Sequence, residues 1–274
     1  MTKSMKKIYI IICLLLVTAC SGQETSLEEN FIVHAFKVGK ADSLLVSHQG
    51  QYVLIDAGEE DDGEKIVAYL QENRINKLQA LIITHYDKDH VGGADHIVKS
   101  LDIEHIYGPN YVSNSKQTLE FLQAVDEKQM TLETITENYE LSIGMAKGEI
   151  YPPKQLNFNG DNDHSLVMSL RYGETSFLFA GDIEAPRIAE LLAHSSMAMS
   201  HTFLKVPHHG RYNEQTTVLI EAVQPEYALI TCSNKNPEQP ETVEALEAAG
   251  AQIYTTRPGD VEFRSNGESI KVYE

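Results

Sequence analysis

The sequence predicts an α/β protein whose β-sheets are sandwiched between helices. Three observations predict it. Nearly unbroken apolar runs such as Leu81-Ile82-Ile83 and Phe177-Leu178-Phe179-Ala180 read as strands buried on both faces. Segments with apolar residues at helical spacing lie between such runs. Clusters of His and Asp follow directly on the apolar runs, which places the chemistry at strand ends.

The elements follow in chain order. Lys3, Lys6 and Lys7 precede the apolar run Ile8 to Val17, which ends in Val17-Thr18-Ala19-Cys20. This is the pattern of a lipoprotein signal peptide: residues 1–19 are expected to be removed and Cys20 to carry lipid. The apolar core is too short for a comfortable membrane span. The predicted location is therefore extracytoplasmic, on a bacterial membrane through a lipid anchor. Residues 20–30 are polar and acidic, which suits a tether, and residues 31–274 show no further linker and read as one domain.

Phe31 to Val38, Asp42 to Ser47 and Tyr52 to Ile55 read as strands in a run of hairpins, the third ended by Asp56-Ala57-Gly58. Further strands are predicted at Ala80 to Thr84, Glu104 to Tyr107, Leu166 to Tyr172, Phe177 to Ala180, Thr202 to Val206 and Ala228 to Thr231. Helices are predicted near Lys65 to Arg74, from Ala94, and at Leu119 to Val125, Ile188 to Leu192 and Val243 to Ala249. Tyr111 to Pro153 fits neither period well and reads as an insertion.

Charge and cysteine content narrow the function. Setting aside the three leader lysines leaves 19 of 22 basic residues against 40 acidic ones, a formal charge of −21. Such a surface repels nucleic acid unless metal ions or a local basic patch supply the attraction. Of three cysteines only Cys232 lies in the domain; it has no disulfide partner there and reads as a buried small hydrophobe.

The densest chemistry is His85-Tyr86-Asp87-Lys88-Asp89-His90, four metal-competent side chains in six residues directly after an apolar strand. A strand ending in a tight turn places His85 and Asp87 toward one cation, and Asp89 and His90 toward a second. Imidazole and carboxylate donors suit zinc, manganese or iron. Gly92-Gly93 then keeps the ligand loop compact.

Three other clusters complete the set. Gly181-Asp182, just past a strand, offers a carboxylate able to bridge two cations. Pro207-His208-His209-Gly210 offers at least one ligand, the other imidazole being free to bond substrate or transfer a proton. Asn162-Asp163-His164 offers a further nitrogen. His34, His48, His96, His105, His194 and His201 have no ligand-like neighbours in sequence and read as structural or solvated.

Together these motifs resemble the metallo-β-lactamase superfamily, with Asp87 where its His-x-His-x-Asp-His pattern has a second His. That departure, with Phe179 to Glu184, Leu204 to Gly210 and Val38-Gly39-Lys40-Ala41-Asp42-Ser43, is similar to the hydrolase domain of ComEC-type DNA-uptake proteins. Gly250 to Tyr254 echoes the same group. The resemblance spans nearly all of residues 31–274 except about 110–160, and it implies a four-layer αββα sandwich.

It also implies a ligand set. His85, Asp87 and His164 would hold one divalent ion, zinc or manganese; Asp89, His90 and His209 would hold another, with Asp182 between. His209 is preferred over His208 because it directly precedes the glycine, and His208 then faces substrate. Relatives often carry Asn at position 164, which keeps Asp163 and Asn162 as alternatives. The Gly-His-Pro common after the strand near Thr231 reads Glu238-Gln239-Pro240 here.

The implied chemistry is attack of a metal-activated water, oriented by Asp89, on an ester-like centre. The leading expectation is a phosphodiesterase or nuclease. A phosphorylcholine-esterase-like or other ester or lactam hydrolase, acting on a small molecule or envelope polymer, is the alternative from the same superfamily. A catalytically silent binding protein is the alternative from another class. No protein partner is evident in the sequence.

Overall fold

The computed structural model describes residues 30–194 and 196–274. The expected signal peptide, the tether before Asn30 and Cys20 lie outside the described residues. Strands β1 (Phe31–Ala35), β2 (Leu44–His48) and β3 (Gln51–Ile55) form an antiparallel meander, with Val33 opposite Val46 and Val46 opposite Val53. The predicted hairpin run is this meander.

From β3 the chain turns to parallel pairing, which requires crossovers. Helix α1 (Asp62–Glu72) leads to β4 (Lys77–Ile82), and α2 (Lys88–Val91) and α3 (Ala94–Ser100) lead to β5 (Asp102–Pro109). Helix α4 (Lys116–Glu127) leads to β6 (Leu132–Ile135). The second sheet starts with the antiparallel strands β7 (Tyr139–Ile143), β8 (Ala146–Tyr151), β9 (Val167–Tyr172) and β10 (Thr175–Phe179). It continues in parallel through β11 (Phe203–Lys205), β12 (Tyr227–Ile230) and β13 (Gln252–Thr255), joined by α5 (Ala185–His194), α6 (Thr216–Val223) and α7 (Pro240–Ala248). The last strands, β14 (Val261–Ser265) and β15 (Ile270–Tyr273), return to the first sheet beside β1.

The orders are β15-β14-β1-β2-β3-β4-β5-β6 and β13-β12-β11-β10-β9-β8-β7. Val33, Val46, Phe177, Phe203 and Phe263 belong to one apolar layer between the sheets. A second layer joins the outer face of the first sheet to α1, α3 and α4 through residues such as Leu54, Ile66, Ile97 and Phe121. A third joins the outer face of the second sheet to α5, α6 and α7 through Leu178, Ile188, Leu219 and Leu246. Helices thus flank two packed sheets, which is the predicted four-layer sandwich. Among the described residues no helix is long and apolar enough to cross a membrane.

One expectation is corrected. Residues 111–153 are no insertion: they supply α4, β6, β7 and β8 and so complete both sheets. Their strands were hard to read because β6 and β7 are sheet edges whose residues are mostly exposed or half-buried, so polar side chains interrupt the apolar pattern. Helix α6 and strands β13 to β15 also went unread.

Parallel pairing gathers function at one rim. β3, β4, β10, β11 and β12 all have parallel neighbours, and Asp56, His85, Asp182, His208, His209 and Thr231 all lie just past their C-terminal ends. Ligand sites in open α/β sheets form at such ends. The two sheets meet there, where Leu166 N donates to Thr84 O at 3.0 Å.

Candidate metal centre

The turn after β4 is built for close packing. A Cβ on Gly92 would lie 2.3 Å from Lys88 O, and one on Gly93 would lie 2.5 Å from Ala57 O and 2.6 Å from Gly63 N. Both glycines have negative φ. Space, not a sharp bend, therefore demands glycine here. The short helix α2 presents Asp89 and His90, and Ala57 N donates to His90 O at 2.7 Å.

Three buried imidazoles are held by their Nδ1 atoms. His90 Nδ1 lies 2.8 Å from Asp56 Oδ2, and His209 Nδ1 lies 3.0 Å from Thr231 O. A carboxylate and a carbonyl can only accept, so both Nδ1 atoms carry the proton. His85 Nδ1 lies 3.1 Å from Thr84 Oγ1, whose own hydrogen goes to Asp56 Oδ2 at 2.7 Å, and 3.3 Å from Ser165 Oγ. In the neutral tautomer that their partners set for His90 and His209, Nε2 carries the lone pair. The Nε2 atoms of His85, His90 and His209 are buried and without hydrogen-bond partners among the described residues. Orientation of a ligating histidine through its other nitrogen is the arrangement metal sites use.

Carboxylates converge on the same space. Asp182 Oδ2 is 3.3 Å from His90 Nε2 and 3.1 Å from His209 Nε2, and Asp89 Oδ2 is 3.5 Å from His209 Nε2. The donor atoms of His85, His90 and Asp182 lie within 4.8 Å of one another, as do those of Asp89, His90 and His209. Orphaned buried nitrogens beside ionised carboxylates fit divalent cations with nitrogen and oxygen ligands.

Electrostatics agree. Burial works against the ionised form of Asp182, yet His209, His90 and Lys205 outweigh it and hold its carboxyl well below the usual range. Asp89 is lowered in the same way, against burial, by His209, His90 and Lys40. Burial disfavours charge on His90 and His209, but Asp182 and its neighbours raise both imidazoles overall. Bound cations would replace those protons. Lys205 is fully buried, ion-paired to Asp42 and 3.5 Å from Asp182 Oδ1.

The remaining candidates from the sequence are less central. Asp87 is 3.7 Å from His85 Nε2, with its side chain two-fifths exposed. His164 stacks on Tyr111 with ring centroids 4.4 Å apart, and its buried Nδ1 has no partner. Among the described residues no trio of donors within 4.8 Å includes Asp87 or His164. Asp163 accepts from Glu184 N at 2.8 Å and Asn162 donates to Glu184 Oε1 at 3.1 Å, so Asp163 is committed to the turn after Asp182, whereas the buried Oδ1 of Asn162 has no hydrogen-bond partner among the described residues. His208 Nδ1 is 2.9 Å from Glu184 Oε1. His208 and His209 both adopt left-handed backbone, φ 48° and 54°, a strain of about 1–3 kcal/mol each that functional sites tolerate.

Several supporting residues escaped the sequence reading. Asp56 also has positive φ, 58°, and its carboxylate accepts from Thr84 N, Thr84 Oγ1 and His90. Asp42 accepts from Thr231 Oγ1 at 2.6 Å and holds Lys205. Asp56 and Asp42 end or precede predicted strands, and an acid there reads as a turn residue until the histidine it orients is seen.

A family model described as the metallo-beta-lactamase superfamily matches residues 37–233. ComE operon protein 3 of Bacillus subtilis is 26% identical over 255 residues, covering 85% of this chain and 33% of that protein. Competence protein ComA of Neisseria gonorrhoeae is 24% identical over 212 residues, covering 76% of this chain and 28% of that protein. The chain thus spans about a third or less of these relatives' length. Among solved structures, the metallo-beta-lactamase fold protein YhfI of Bacillus subtilis superposes with a TM-score of 0.57 at 11% identity, covering 85% of this chain and all of that one.

Proposed function

The chain belongs to the metallo-beta-lactamase superfamily, and from that premise we propose that it is a metal-dependent hydrolase of phosphodiesters, held outside the cytoplasm by lipid on Cys20. The observation that carries the reading is the convergence of three buried Nε2 atoms without hydrogen-bond partners, among the described residues, with Asp89 and Asp182 at the rim where both sheets end. Asp89 and Asp182, with Asp87 beside His85, add oxygen donors to the imidazoles, which suits oxygen-loving cations and phosphate chemistry.

His85, His90, His209, Asp89 and Asp182 are the residues that would hold two cations, with Asp87 and His164 at the margin. Such ions supply Lewis acidity, polarising a phosphoryl oxygen and acidifying a water. Asp89 is ionised and can hold that water in line for attack. Asp56 and Thr231 fix the imidazoles so that the ligand atoms need not reorganise. His208, anchored through Nδ1 by Glu184 and favoured in its neutral form by burial, has an Nε2 able to accept a proton or hydrogen bond from water or substrate. The acidic charge of the chain repels long nucleic acids more strongly than small phosphodiesters.

The test is a substrate panel. Full-length protein loaded with zinc or manganese is expected to cleave bis(p-nitrophenyl) phosphate at least ten-fold more efficiently than a chromogenic lactam or thioester. Preference for the lactam or thioester overturns the phosphodiester assignment, and absence of bound metal overturns the enzyme. Cys20→Ala is expected to release the protein from membranes; unchanged membrane association removes the lipid anchor from the reading.

A further inference from the structure

Lys40 lies on the loop between β1 and β2, and its Nζ lies 3.1 Å from Asp89 Oδ2. Its side chain is 31% exposed, whereas Asp89 is 14% exposed and Lys205 is buried. Lys40 therefore reaches the outside of the centre while touching one of its ligands.

The loop that carries it is fixed. Asp42 N donates to Asp89 O at 3.0 Å, and Gly58 N donates to Asp42 O at 2.8 Å, tying residues 36–43 to the metal-binding turn.

Charge gives this placement a consequence. Asp42, Asp56, Asp87, Asp89, Asp182 and Glu184 bring six negative charges to the centre, against Lys205, Lys40 and two divalent ions, so the assembly is neutral with Lys40 and carries one net negative charge without it. Once Asp89 directs its charge to a cation, the Lys40 ammonium keeps two N–H donors that Asp89 does not use. A partly exposed ammonium beside the centre attracts anions and gives neutral esters no such advantage.

We propose that Lys40 is the specificity-determining residue of the centre, binding a non-bridging oxygen of an anionic phosphodiester and selecting charged over neutral substrates. The assignment rests on the phosphodiesterase reading above. It differs from a structural role in which Lys40 only props Asp89, because that role would act on metal retention and on every substrate alike.

The experiment compares full-length, metal-loaded wild type with Lys40→Gln, Lys40→Met and Lys40→Arg. Metal content is measured by elemental analysis, inorganic phosphate affinity by calorimetry, and kcat/KM for bis(p-nitrophenyl) phosphate and p-nitrophenyl acetate by absorbance. Lys40→Gln and Lys40→Met are expected to keep wild-type metal content, to bind phosphate roughly ten-fold or more weakly, as loss of one charge-assisted hydrogen bond implies, and to lose about that factor in the phosphodiester-to-acetate ratio. Lys40→Arg is expected to retain most of both. Reduced metal content with equal losses on both substrates, or an unchanged phosphate affinity and ratio, overturns the proposal. If wild type cleaves no phosphodiester yet binds phosphate through Lys40, the phosphodiesterase reading falls and the anion site stands; if it does not bind phosphate, the anion site falls.

Discussion

Two buried imidazoles in this molecule lie between pairs of carboxylates and are used in opposite ways. His34, on β1, has Nε2 3.2 Å from Asp260 Oδ2, and its Nδ1 is 3.5 Å from Glu262 Oε2 and 3.3 Å from the Tyr69 hydroxyl. The rings of Phe36 and Tyr69 pack on it at 4.7 and 4.6 Å. Both nitrogens are spent. His90 has Nδ1 on Asp56 at 2.8 Å, but its buried Nε2 makes no hydrogen bond and faces Asp182. The difference teaches that a buried histidine flanked by acids is structural when both nitrogens are satisfied and a ligand when one is held and the other left open.

The most severe way to break the open cluster is to remove its shared oxygen. Asp182 contacts both His90 and His209 and completes the group formed with His85. Asp182→Asn keeps the shape and removes the charge, so the variant is expected to fold, to hold less than one equivalent of metal, and to lose activity by about 10³-fold or more, the scale of the several kcal/mol that metal ions supply. Elemental analysis with circular dichroism checks it; a folded variant retaining two equivalents would place the shared ligand elsewhere.

A milder perturbation leaves every ligand in place and loosens one orienting partner. Asp56 is the acceptor that fixes His90, as Asp260 is for His34, but only at His90 does the orientation serve a lone pair. Asp56→Asn is expected to weaken metal affinity about 10–100-fold, the usual range for an outer partner of a ligating histidine, while the matching Asp260→Asn leaves metal affinity unchanged. Competition with a chromogenic chelator measures both. An equal effect of the two substitutions would erase the distinction between the clusters.

Legibility in the sequence followed the same division. His85, Asp89, His90, Asp182 and His209 were readable because metal-competent side chains were crowded into short motifs after apolar strands, and the structure brings these residues to one rim. Asp56, Asp42 and Thr231 were not, because an orienting residue contacts its histidine across the fold, 34 residues apart for Asp56 and His90 and 22 for Thr231 and His209, and leaves no local pattern. The layers were readable from buried parallel strands such as β10, all five of whose residues are buried. β14 could have been read: Val261, Phe263 and Ser265 point into the core in strict alternation with Glu262 and Arg264. Edge strands β6 and β7 lacked that contrast.

The smallest effect tests the closed cluster by pH. Burial disfavours charge on His34, but Asp260 and Glu262 raise its pKa above the ordinary 6.5, while the two carboxyls are themselves lowered from 3.8 and 4.5. A histidine raised on folding stabilises fully below its unfolded pKa and loses that contribution as pH climbs through the folded value. The carboxylates contribute above their unfolded values and lose it in acid. The cluster is therefore most stabilising near pH 5.5–6 and fades toward pH 9. His34→Gln should lower Tm in that acidic window by no more than about 2–4 °C beyond its effect at pH 9, since Asp260 is 42% exposed and screened. Subtracting the two melting profiles removes titrations common to both proteins, including those of the metal ligands. A gap between wild type and variant that does not change with pH would mean His34 serves as a neutral packing ring, and the contrast with His90 would then rest on geometry alone.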